Sequence, residues 1–125
     1  MRSITSIHHV SLSVRNLETT ARWYNEVLGL ALLRHSNGAS FERAILGSGQ
    51  GTPVFGLTQH RGNEGRPFSE TATGMDHLAF SVASPGELRA QRDRLDELGL
   101  AYGAPREGLV VLRDPDNIQV ELCCP

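Results

Sequence analysis

Lysine is absent from this 125-residue chain, so all 12 of its basic residues are arginine. That absence excludes Schiff-base chemistry through a lysine amine and a phosphate-binding loop of the lysine type. Cysteine is scarce: Cys123 and Cys124 are the only two, and they are sequence neighbours. A bridge between neighbours is badly strained and closes no useful loop, so a disulfide framework is excluded and a reducing compartment is expected. The formal net charge is only −2 and the arginines are scattered. Without a basic stripe, nucleic acid is not expected as a partner. No apolar run approaches the roughly 20 residues of a membrane span, so no membrane partner is expected. Met1-Arg2-Ser3-Ile4-Thr5 has no apolar signal core, which makes the cytoplasm the expected location. With 39% hydrophobic and 21% charged residues, 1–125 reads as one globular domain acting on a small molecule.

The hydrophobic pattern marks out the elements in order. In residues 7–14, His9, Ser11 and Ser13 alternate with His8, Val10, Leu12 and Val14, the period of a half-buried strand. A helix follows, with Asn16 as its cap, Leu17, Ala21, Tyr24 and Leu28 on one face, and Gly29 as its stop. Strand-like runs lie near 30–35, 40–47 and 52–60, separated by Asn37-Gly38 and by the glycine-rich turn at 47–51. Residues 61–74 are polar and glycine-containing and read as a long connecting loop that covers a pocket.

The order then repeats. A strand at 76–82 leads into Ser84-Pro85-Gly86-Glu87, a capping box with proline at the first helical position. Leu88, Gln91, Leu95 and Leu98 share one helix face, and Gly99 ends it. Strands at 101–106, 109–113 and 118–123 follow, the last two joined by the turn Asp114-Pro115-Asp116-Asn117. His9 and His77 are 68 residues apart, as are Val14 and Val82. The chain is therefore two βαβββ modules, about 6–60 and 75–123. The expected class is α+β, with the two modules facing each other to form a cup-shaped, barrel-like mixed sheet, helices outside.

Strand alternation also nominates a site. On the last strand Asn117, Gln119, Glu121 and Cys123 share one face, while Ile118, Val120 and Leu122 share the other. If each half gives its first and last strands to the cup, His9, His77 and Glu121 converge. Two imidazoles and a carboxylate suit one divalent Fe, Mn, Co, Ni or Zn ion with positions left open for substrate. Aligning Val54-Phe55-Gly56-Leu57 with Gln119-Val120-Glu121-Leu122, at an offset of 65, puts Gly56 where a fourth ligand would stand. Ser11, Ser13, Gly56, Thr58, Ala79 and Ser81 are the pocket-facing positions expected to touch substrate. His60, on the face of Gly56 and Thr58, is either a catalytic acid or base at the rim or a surface histidine. Glu42 and Tyr102 are weaker candidates of the same kind, and Arg43 or Arg66 would meet an anionic group on the substrate. His8 faces away as a structural or exposed residue; Trp23 and Tyr24 belong to helix packing; Cys123 is an inert thiol on the face of Glu121.

Four segments together resemble the vicinal oxygen chelate superfamily of glyoxalase I, extradiol dioxygenases, methylmalonyl-CoA epimerase and the fosfomycin and bleomycin resistance proteins. They are His9-Val10-Ser11-Leu12-Ser13-Val14, Trp23-Tyr24-Asn25-Glu26-Val27-Leu28-Gly29-Leu30, Asp76-His77-Leu78-Ala79-Phe80-Ser81-Val82 and Asp114-Pro115-Asp116-Asn117-Ile118-Gln119-Val120-Glu121-Leu122. The resemblance implies a paired βαβββ fold, a metal on His9, His77 and Glu121, and a substrate that chelates it through two neighbouring oxygens. It also implies a homodimer whose site combines His9 of one chain with His77 and Glu121 of the other. Glyoxalase I and the epimerase carry a ligand where this chain has Gly56, so extradiol-dioxygenase-like chemistry is slightly favoured. Glyoxalase-type lyase or isomerase chemistry, fosfomycin-type transfer and metal-free drug binding of the bleomycin-resistance type are the alternatives. The fosfomycin enzymes grip their anion with a lysine that this chain lacks.

Overall fold

The computed structural model describes residues 3–125. Its first half consists of β1 (Ser11–Ser13), α1 (Leu17–Leu28), β2 (Ala31–Asn37), β3 (Phe41–Gly47) and β4 (Pro53–His60). The second consists of β5 (His77–Ser81), α2 (Pro85–Glu97), β6 (Gly103–Arg106), β7 (Leu109–Arg113) and β8 (Gln119–Cys123). Local chemistry sets the helix ends as the sequence foretells. Asn16 accepts the Thr19 N–H at 2.9 Å, Ser84 accepts the Glu87 N–H at 3.2 Å, and Gly29 closes α1 at φ +72°.

Each half forms a four-stranded sheet, in the orders β1-β4-β3-β2 and β5-β8-β7-β6. In each, the first strand pairs parallel with the last, and the other pairs are antiparallel. The registers superimpose. Ser11 pairs with Gly56 and Ala79 with Glu121; Val14 N–H donates to Thr58 O at 2.9 Å, and Val82 N–H to Cys123 O at 2.8 Å. Gly56 is thus the structural counterpart of Glu121, as the offset requires. The first strand is shorter than its alternation suggests and leaves His9 before β1, although Val10 O still accepts the Gly56 N–H at 2.8 Å. Among the described residues the two sheets share no strand pairing, so the cup is two open sheets, not a closed barrel.

One face of each sheet is covered by its helix. Leu12, Val14, Leu46, Leu57, Val110, Val120 and Leu122 turn to that side and, with Tyr24, Val27, Leu88 and Leu95, make a continuous core. The halves meet at the rings of Tyr24, Phe55 and Phe80, whose centroids lie 5.0–6.4 Å apart. They meet again at the Asp114–Asn117 turn. Asp114 accepts the Tyr24 hydroxyl at 2.7 Å, and Asp116 accepts Thr20 Oγ1 at 2.9 Å and the Arg15 backbone N–H and Nε–H, both at 2.9 Å. Burial pushes the Asp114 carboxyl up, opposed by the Tyr24 hydroxyl and by the Ile118 and Asp116 N–H groups. Desolvation and the adjacent carboxylate push Tyr24 far above the ordinary phenol range.

The long loop is tied to the same turn. Phe68 N–H donates to Asp116 O at 2.8 Å, Asn117 Nδ2 donates to Phe68 O at 3.0 Å, and Arg113 meets Glu70 at 2.5 Å. Asn117 occupies the left-handed region at φ +69°, which asparagine tolerates better than most residues. Among the described residues no helix is long and apolar enough to cross a membrane.

Candidate metal centre

The faces opposite the helices are open. On the second sheet this face carries His77, Ala79 and Ser81 of β5, with Gln119, Glu121 and Cys123 of β8 beside them. His77 Nε2 lies 3.8 Å from Glu121 Oε2. Two donors bound to one ion at about 2.1 Å each stand about 3 Å apart, so a small rotation suffices for both to share a metal. The flanking bonds suit that role. His77 Nδ1 donates to Asp76 Oδ1 at 2.8 Å, which leaves Nε2 as the ligating nitrogen, and Gln119 Nε2 donates to Glu121 Oε2 at 2.9 Å. The Asp76 hydrogen bond raises the His77 pKa against desolvation, with lesser upward contributions from the charges of Glu121 and Asp76.

His9 is exposed, and its Nδ1 bonds to His8 Nδ1 at 2.8 Å. This is the repeat counterpart of the Asp76–His77 bond, since His8 and Asp76 are also 68 residues apart. His8 is exposed too, but it orients its neighbour. Among the described residues no group of three or more His, Cys, Asp and Glu side chains able to hold a metal forms within one chain. His77 and Glu121 come together, and His9 does not join them. Two concavities of a single chain lie away from His77 and Glu121. One of about 730 Å³ lies beside Leu30, Val54, Phe80 and Gln91, and one of about 540 Å³ lies between α1 and the outer strands of the first sheet.

The open face of the first sheet carries Ser11, Ser13, Gly56, Thr58 and His60, with Phe41, Arg43 and Ile45 next to them on β3. Ser11 Oγ and Thr58 Oγ1 are 2.8 Å apart, and Arg43 Nε donates to Thr58 Oγ1 at 2.9 Å. A Cβ at Gly56 would lie 3.2 Å from Ser11 Oγ and 3.4 Å from Ile45 Cδ1, so the counterpart of the Glu121 position is tight on the Ser11 side. His60 is exposed at the strand end, its ring 6.1 Å from that of Phe41. Glu42 sits on the helix side, 3.9 Å from His35; Tyr102 donates to Asp96 at 3.0 Å; Arg66 pairs with Glu64 at 2.6 Å. Of the two residues that orient the donors, Gln119 shares the face of Glu121 by alternation, whereas Asp76 carries no strand-face signal of its own. The sign available for Asp76 is its place before the repeated histidine.

The family model described as Glyoxalase/Bleomycin resistance protein/Dioxygenase superfamily matches residues 6–122. The crystal structure of a glyoxylase/bleomycin resistance protein/dioxygenase domain from Frankia sp. EAN1pec superimposes with a TM-score of 0.84 at 35% identity, covering 98% of each chain. Glyoxylase I 4 of Arabidopsis thaliana is 26% identical over 96% of this chain and 71% of its own length. A probable lactoylglutathione lyase of Vibrio parahaemolyticus is 26% identical over 93% of this chain and 88% of its own. With its duplicated βαβββ modules and a match across nearly its whole length, the chain belongs to the Glyoxalase/Bleomycin resistance protein/Dioxygenase superfamily.

Proposed function

We propose that the protein is a metal-dependent enzyme that acts on a small molecule bearing two neighbouring oxygens. The observation that carries this reading is the approach of His77 Nε2 to Glu121 Oε2 at 3.8 Å, with Asp76 fixing the other imidazole nitrogen. His77 and Glu121 hold one divalent ion, and His9 from a second copy of the chain completes the set in a homodimer. That third ligand is assigned to a second copy because no third donor joins the pair within one chain among the described residues. The exposure of Ile4 (90%) and Ile7 (82%), just before His9, supports an interface at that segment.

When bound, such an ion supplies Lewis-acid polarisation and stabilises negative charge developing on substrate oxygens. The protein's own part is to hold it with two neutral imidazoles and one carboxylate, to keep His77 in its Nε2-free tautomer, and to surround the substrate with Ser11, Ser13, Thr58, Ala79 and Ser81. Gly56 in place of a second carboxylate supports oxygenase-type chemistry on a catechol-like substrate. The names of the Arabidopsis and Vibrio relatives support a lyase or isomerase acting on a 2-oxoaldehyde–thiol adduct.

Elemental analysis of protein purified without chelators is expected to find one divalent metal per site, lost in Glu121→Ala and His77→Ala while the circular dichroism is kept. Retained metal in both variants would overturn the assignment. Mixing His9→Ala chains with Glu121→Ala chains should restore activity if the site is shared. Turnover of catechols against 2-oxoaldehyde–thiol adducts, run with several metals, separates the two chemistries.

A further inference from the structure

The open face of the first sheet carries a cation that the metal reading does not use. Arg43 is half-buried on that face, and among the described residues no carboxylate lies within ion-pair distance of it. Its guanidinium is nevertheless held. Nε donates to Thr58 Oγ1 at 2.9 Å, Thr58 is itself 3% exposed and bonded to Ser11 at 2.8 Å, and the guanidinium carbon sits 4.6 Å above the Phe41 ring centroid. With Nε engaged and the plane fixed over an aromatic ring, the two terminal nitrogens are presented as a fork. A planar, weakly hydrated fork of this kind matches a carboxylate through two parallel hydrogen bonds. Arg34 on β2, paired with Ile45, is a second cation on this face but an exposed one, so the half-buried Arg43 gains more from a ligand that brings a counter-ion.

The repeat gives this charge a direction. Arg43 pairs with Thr58, and the counterpart pair in the second sheet is Leu109 with Cys123. One half of the duplicated site therefore carries the acid Glu121 and the other carries the base Arg43, which distinguishes two ends of a ligand lying across them.

We propose that Arg43, positioned by Thr58 and Phe41, is a carboxylate-recognition point, and that the substrate is an anion bearing a carboxylate remote from its metal-chelating oxygens. This rests on the proposed function, in which the two open faces line one site, but its test needs no metal. Metal-free, isotope-labelled protein is titrated with benzoate and, separately, with benzamide, which has the same shape without the charge. Benzoate is expected to shift the Arg43 Nε–H and Thr58 amide resonances saturably, with a dissociation constant of about 1–10 mM, and benzamide at least about tenfold more weakly. In Arg43→Gln the preference should vanish, and in Arg43→Lys it should survive in part. Equal response to both probes, no saturable shift with benzoate, or a preference kept in Arg43→Gln would each overturn the proposal. None of these results alters the metal content by which the parent reading is judged.

Discussion

Replacing Tyr24 by phenylalanine removes one oxygen from the joint between the two halves and little else. The ring is fully buried and packed at 5.0 Å from Phe55, so its shape is kept, while Asp114 Oδ2 loses the hydroxyl that donates to it at 2.7 Å. Asp114 Oδ1 keeps the N–H groups of Asp116 and Ile118, at 2.8 and 2.9 Å. The expected loss is that of one hydrogen bond to a buried charged group, about 1.5–3 kcal/mol. At this chain length that is about 5–12 °C in Tm. The pH dependence gives an independent check. Tyr24 ionises far above its unfolded value in the folded protein, chiefly through burial and then through Asp114. Its stabilising contribution is therefore complete below about pH 10 and is lost as pH rises beyond it, a loss that Tyr24→Phe cannot show. Asp114 is also raised by burial, so its contribution is present below the unfolded carboxyl value and is lost as pH rises through the folded one. A protonated Asp114 needs the tyrosine donor less. Urea denaturation followed by Trp23 fluorescence should thus show the deficit of Tyr24→Phe largest near neutrality, smaller at about pH 4 and smaller again above about pH 10. A deficit under about 0.5 kcal/mol at pH 7, or one of constant size across this range, would refute the reasoning.

Asp76→Ala removes the group that orients His77 without removing a proposed ligand. It is expected to weaken metal binding about 10–100-fold, measured by competition with a chromophoric chelator, with little change in Tm. Unchanged affinity would mean that the 2.8 Å bond does not set the imidazole. Gly56→Glu places a carboxylate at the counterpart of Glu121, but its Cβ stands 3.2 Å from Ser11 Oγ, which must give by a few tenths of an ångström. A stability loss of about 1–3 kcal/mol is expected, partly recovered in Gly56→Glu/Ser11→Ala, and that double variant should bind metal more tightly by calorimetry. No recovery would place the crowding elsewhere.

Much of the fold was legible because the signals are local. Asn16, Ser84, Pro85, Gly29 and Gly99 act within one helical turn of where they stand, and the elements fall where those residues put them. The site was legible in part. Alternation along a strand records which face is buried, so Glu121 opposite Val120 and Leu122 could be assigned a face, and the structure leaves that acid only partly exposed there. Alternation does not say how far a strand extends, and β1 stops short of His9. Nor did it reveal that Arg43 lies on an aromatic ring with its counter-ion missing, since a lone arginine in a strand reads as surface. The long loop is fastened to the Asp114–Asn117 turn by bonds spanning 48 and 49 residues, which no local signal announces.

By itself the sequence determined the duplication, the order of the elements and the equivalence of Gly56 with Glu121. A period-2 strand copied at offsets of 68 and 65 leaves only one register in which both copies bury their apolar faces. Only the tertiary structure decided which side chains meet. Asp114 finds Tyr24 across 90 residues, His77 finds Glu121 through a parallel strand pair, and His9 finds neither within one chain among the described residues. The first meeting depends on how the two sheets are set against each other and the second on which strands pair within a sheet, and the period of a strand carries no information about either.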